Sequence, residues 1–181
     1  ADPAVHASRL VGMPVRPVTQ DGSPRAAMTF GLWEPGVVPG STEDAPRRRS
    51  AVAESADLLA DLVSAGIQTV AFARSRSGVE VVASAARSHL SGAAADRPGS
   101  IAAYRGGYLP EERRALERSL RSGELVGLAA TNALELGIDV SGLDAVLLAG
   151  WPGTRASLWQ QAGRAGRAGE ESLAVLVAAD D

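Results

Sequence analysis

From Ser50 onward, short apolar runs alternate with stretches of helical length and helical periodicity, and this alternation dictates the fold class. The apolar runs are Ile67 to Ala73, Ile101 to Tyr104, Leu125 to Ala130, Ala145 to Ala149 and Leu173 to Ala178. None shows the period-two pattern of a half-solvated strand, so both faces of each strand must be covered. Between them, Ser50 caps a helix to about Ala65 that lines up Leu58, Leu59, Leu62 and Val63, and Gly66 ends it. The capping-box spacing of Ser77-Gly78-Val79-Glu80 opens a second helix to about Leu90. Pro110 followed by Glu111 and Glu112 suits a first helical turn, in a helix ending near Ser122-Gly123. Thr154 to about Ala162 forms a fourth. The expected architecture is α/β: a parallel sheet with helices on both faces, which places ligands at the carboxyl ends of its strands.

The 181 residues fit one domain over 1–181, with a regular core over 51–181. Residues 1–50 are rich in Pro, Gly and Ser, and Met28 to Trp33 is the single strand expected there; Gly36 to Arg49 reads as a loop.

Composition removes whole classes of chemistry. With no cysteine and only His6 and His89, the chain offers no thiolate nucleophile, no disulfide and no His/Cys metal cluster. All 18 basic residues are arginines. A P-loop needs a lysine on the β/γ phosphates, so any nucleotide chemistry must borrow that loop from elsewhere. The net charge of −3 means that phosphates must be met by local groups. No apolar run reaches the ~20 residues of a membrane span, and no leader-like segment opens the chain, so the expectation is a cytoplasmic protein without a membrane partner.

Four segments carry candidate chemistry. In Gln160-Gln161-Ala162-Gly163-Arg164-Ala165-Gly166-Arg167, two always-charged forked donors sit three apart among small residues. They suit the transition-state charge of a γ-phosphate, or else form a solvated Arg/Gly turn at a helix end. Ala130 to Val140 follows a strand; Thr131 offers a hydroxyl and an amide to a phosphate, and Asp139 an acceptor to a ribose. The alternative there is a satisfied Asp cap with Gly137 in a turn. Phe72-Ala73-Arg74-Ser75-Arg76 ends another strand, with Ser75 and Arg76 either holding a nucleic-acid phosphate or serving as loop and cap residues. Tyr104-Arg105-Gly106-Gly107-Tyr108 ends a third; its glycine pair beside Arg105 admits a sugar-phosphate backbone, or is a plain turn.

In this order and at these strand ends, the four segments resemble motifs IV, IVa, V and VI of the second RecA-like domain of superfamily-two helicases. Trp151-Pro152-Gly153-Thr154, Trp159-Gln160-Gln161 and Tyr108 to Arg114 are similar to the MrfA/SftH branch of bacterial DEAH-type DNA helicases. Asp21 to Pro24 and Leu32 to Pro35 are similar to it as well, and Ala1-Asp2-Pro3 resembles the residues that follow motif III. Members of that branch carry a further region with a four-cysteine metal site, and position 105 is arginine where many relatives have histidine. The resemblance implies a fragment beginning just after a first RecA-like domain, which would hold ATP and Mg²⁺. Arg164 and Arg167 would act as arginine fingers, with Gln160 sensing the nucleotide state and Gly137 and Asp139 near the ribose. Ser75, Arg76, Arg105, Gly106 and Thr131 would grip one strand of single-stranded or partly duplex DNA. The chain alone would be inactive. An RNA helicase, a duplex translocase or a non-catalytic binding module on the same fold are the alternatives.

Overall fold

A computed structural model describes residues 2–20, 22, 26–42, 46–92, 100–104, 107–131, 142–166 and 170–179. Its centre is a six-stranded sheet of β1 (Met28–Trp33), β2 (Thr69–Ala73), β3 (Ile101–Tyr104), β4 (Gly127–Ala130), β5 (Ala145–Ala149) and β6 (Ser172–Val177). The order is β1-β6-β5-β2-β4-β3, and every pair is parallel. The helices are α1 (Pro3–Val11), α2 (Ala51–Ser64), α3 (Arg76–Gly92), α4 (Pro110–Arg121) and α5 (Arg155–Ala162).

Side-chain alternation along the strands feeds two cores. Ala71, Ala73, Leu147 and Ala149 join Leu59 and Val63 of α2 and Val79, Val82, Ala86 and Leu90 of α3. Val70, Phe72, Val146 and Leu148 point the other way, to Leu120 of α4 and Leu158 of α5. Every residue of β2, β4 and β5 is therefore buried, which explains their unbroken apolar sequence. The edge strand β1 is largely exposed.

The connections obey one hand. Those travelling from β1 to β2 and from β2 to β3 use α2 and α3 on the first face. Those travelling back, from β3 to β4 and from β5 to β6, use α4 and α5 on the second. Opposite directions on opposite faces are what right-handed crossovers require. Because α3 leaves β2 on one face and α5 leaves β5 on the other, the adjacent strands β2 and β5 bracket a topological switch point.

Local chemistry sets the helix ends. Ser50 Oγ accepts the Ala53 amide (3.2 Å) at the start of α2. At its end Gly66, at φ 78°, turns the chain, with Gly66 N–H donating to Val63 O and Ile67 N–H to Leu62 O, a Schellman motif. Ile67 thus belongs to the helix stop, and β2 begins later than the apolar run predicts. α3 starts at Arg76 rather than at the Ser77 box, because Ser75 Oγ takes the Gly78 amide (3.0 Å) first. Leu125 and Val126 lie ahead of β4, their amides bonded to Ser119 and Ser100 carbonyls.

The N-terminal part is more regular than expected. Asp2 caps α1 by accepting from Ala4 and Val5, Pro3 takes the first helical position, and Gly12 at φ 74° closes it. The segment after β1 is also tied down. Arg49 pairs with Glu54 and Asp57 of α2, Arg48 with Glu34 (2.7 Å), and Trp33 Nε1 donates to Glu54 (2.9 Å). No helix among the described residues is long and apolar enough to cross a membrane.

Candidate functional site

The carboxyl ends of the strands carry most of the described candidates. Ser75 and Arg76 follow β2, both exposed, and Thr131 follows β4. Ser75 bonds the Gly78 amide and the Ser77 hydroxyl (3.0 Å each), so it is a helix cap wherever else it acts. Thr131 is only 6 % exposed, and its amide donates to Tyr104 O (3.2 Å). That amide serves the β3 side of the sheet instead of facing a ligand.

At the switch point, Ala73 and Arg74 of one strand end face Ala149, Gly150 and Pro152 of the other across a hollow of about 130 Å³. Gln161 closes it from α5 and is only 5 % exposed. A wider hollow of about 420 Å³ adjoins it, walled by Arg48, Arg49, Arg74, Ser75 and Gly78 at the amino ends of α2 and α3. Gly78 keeps this wall low: a Cβ there would lie 3.2 Å from Ser75 Oγ.

The segment from Gln160 to Gly166 occupies another part of the molecule. Gln160 is exposed on the last turn of α5. Beyond it the chain runs beside Leu143, just ahead of β5, with Leu143 N–H donating to Arg164 O (3.3 Å) and Gly166 N–H to Leu143 O (2.8 Å). Arg164, half-buried, is thus fixed by its backbone near the amino end of β5, away from Ser75 and Thr131. The two glycines have intramolecular reasons. A Cβ at Gly163 would meet Trp159 O at 2.8 Å, and Gly166 sits at φ 105° against Ser172. The small residues around the two arginines thus have reasons within the fold itself.

Arg105, Gly106, Gly137, Asp139 and Arg167 lie outside the described residues. Among the described residues, no cluster of three His, Asp or Glu side chains is placed to hold a metal ion. Sequence reasoning passed over Gln161, which the helical spacing with Leu158 marks as inward-facing, and Trp151, which stands in the loop after β5.

The geometry offers cationic and hydroxyl groups at the strand ends, and a separately anchored arginine near the opposite end of β5. A nucleotide-cradling loop has no lysine to build on.

The chain is 43 % identical over 180 residues to the ATP-dependent helicase YprA of Bacillus subtilis, covering 98 % of this chain and 23 % of that protein. It is 37 % identical over 180 residues to the ATP-dependent helicase HRQ1 of Saccharomyces cerevisiae, covering 98 % of this chain and 16 % of that one. A crystal structure of the helicase MrfA bound to DNA and AMPPNP superposes with a TM-score of 0.86 at 41 % identity, over all of this chain and 24 % of MrfA. The chain therefore spans about a quarter of the length of these relatives or less. Its all-parallel sheet is the RecA-like architecture of helicase C-terminal domains. Residues 54–169 match the model of the helicase conserved C-terminal domain, and the chain belongs to that family.

Proposed function

We propose that this domain is the second RecA-like half of an ATP-dependent DNA motor, contributing arginine fingers and part of a strand grip to a nucleotide site completed by another domain of the same polypeptide. The observation that carries this reading is a pairing: membership of the helicase family in a chain without a single lysine. The residues present fit one side of a nucleotide site and not the cradle. Arg164 is anchored through its backbone on Leu143 and Gln161, and Arg167 follows three residues on. ATP with its Mg²⁺ would supply the phosphoryl group, bound mainly by the partner domain's loop.

In this scheme Arg164 and Arg167 neutralise charge on the transferring phosphoryl group, and Gln160, exposed one turn earlier, reports the nucleotide state. Gly137 and Asp139 would serve the ribose. Ser75, Arg76, Arg105, Gly106 and Thr131 meet the sugar-phosphate backbone of one strand. The DNA-bound state of MrfA supports DNA over RNA as the track.

The purified 181-residue chain is expected to show no ATP turnover. In the full-length protein, Arg164→Ala and Arg167→Ala are each expected to lower ATPase turnover on the order of 10³-fold. Near-normal turnover in both variants, or robust turnover by the chain alone, overturns the finger assignment.

A further inference from the structure

Trp151 has no role in the scheme above, yet its position gives it one. It stands between Gly150 and Pro152, both of which line the switch-point hollow with Arg74. The residue is 44 % exposed at the carboxyl end of β5. Trp159 differs: its indole rests on Phe30 of the edge strand, with centroids 5.7 Å apart. The backbone around Trp151 is shaped with care. Gly150 at φ 85° and Gly153 at φ 97° turn the chain on either side, and a Cβ at Gly153 would meet nothing within 4 Å. Pro152 fixes its own φ and restricts Trp151 to extended conformations. Trp151 is thus carried on a loop whose neighbouring residues Gly150 and Pro152 line a hollow that also bears Arg74 and leads to Ser75.

We propose that Trp151 is a stacking platform for one base of a single strand whose backbone runs past Arg74, Ser75 and Arg76. This rests on the strand-grip reading and adds to it the one component phosphate contacts lack, a flat apolar surface for the base itself. Arginines and a helix start beside the hollow attract phosphate, and the exposed tryptophan in the neighbouring loop offers a π face that every base can use. Such a platform is indifferent to sequence and sensitive to the presence of a base.

The test uses the full-length protein and fluorescence anisotropy with two labelled oligomers, one of thymidine and one of the same length with abasic sites. The wild type is expected to bind the thymidine oligomer about 5- to 150-fold more tightly than the abasic one, the range for one aromatic stack. Trp151→Ala and the bulkier Trp151→Leu are both expected to weaken thymidine binding by a similar factor, to bind the two oligomers nearly equally, and to keep the salt dependence of the wild type, because no phosphate contact is lost. Trp151→Phe is expected to retain most of the preference. If Trp151→Leu keeps the full preference for thymidine, or loses affinity for both oligomers alike with a flatter salt dependence, the platform is overturned while the grip stands. If the wild type binds neither oligomer, grip and platform fall together.

Discussion

Gly127 opens β4 with no room to spare. A Cβ there would lie 2.7 Å from Val63 Cγ2 and 2.8 Å from Ile101 Cγ1, both fixed in the first core. Gly127→Ala is expected to destabilise the domain by about 1–3 kcal/mol, read as a lower urea midpoint. Sequence gives no sign of this, because the clash joins residues from three elements. Tyr104 is a second case. Burial, reinforced by nearby Glu117, pushes its phenol above the ordinary tyrosine value, against the weaker pull of Arg113. Its folded pKa is raised, so it gives no pH dependence while both states are protonated. Once pH passes the unfolded value of about 10, the unfolded chain ionises first and stability falls. Urea midpoints between pH 8 and pH 11 are expected to drop in the wild type and to drop less in Tyr104→Phe. At the same scale Arg164 was legible as a residue type and spacing, while its anchorage on Leu143 was not, since no local pattern announces a bond between residues 21 apart.

Elements were legible where burial and end signals agreed. β1, β3 and β5 fall at the residues their apolar runs define, and α2, α4 and α5 begin and end near the residues expected. Two departures have physical causes. Helix α1 has good caps in Asp2 and Gly12, but it is short and none of its residues is buried, so no core contact requires it. At α3, Ser75 and Ser77 compete as caps and the earlier one wins. That shift places a proposed phosphate contact and a structural cap on one hydroxyl, and the two roles separate experimentally. Ser75→Ala is expected to cost about 0.5–2 kcal/mol in stability and to weaken single-strand binding. Ser75→Asp is expected to restore the cap and the melting temperature while repelling phosphate, so that binding falls further. Recovery of both properties in the aspartate variant would assign Ser75 to capping alone.

For the whole molecule, the fold class followed from alternation, but the order of the strands did not. Nothing in the sequence of β2 and β5 says that they are neighbours; the hand of the crossovers puts them there and opens the crevice between them. The strand-end candidates Ser75 and Thr131 were legible from that rule, and the hollow walled by Arg74, Gly150 and Gln161 was not. The same topology joins the first strand to the last: Met28 pairs with Ser172, and Trp33 with Val177. During synthesis β1 leaves the ribosome well before β6, the strand it pairs with. At translation rates of ~5–20 residues per second, its partner follows on the order of ten seconds later. For that interval Phe30 and Leu32 are carried on an unpaired strand, and the nascent domain depends on whatever shields that edge until the last strand arrives.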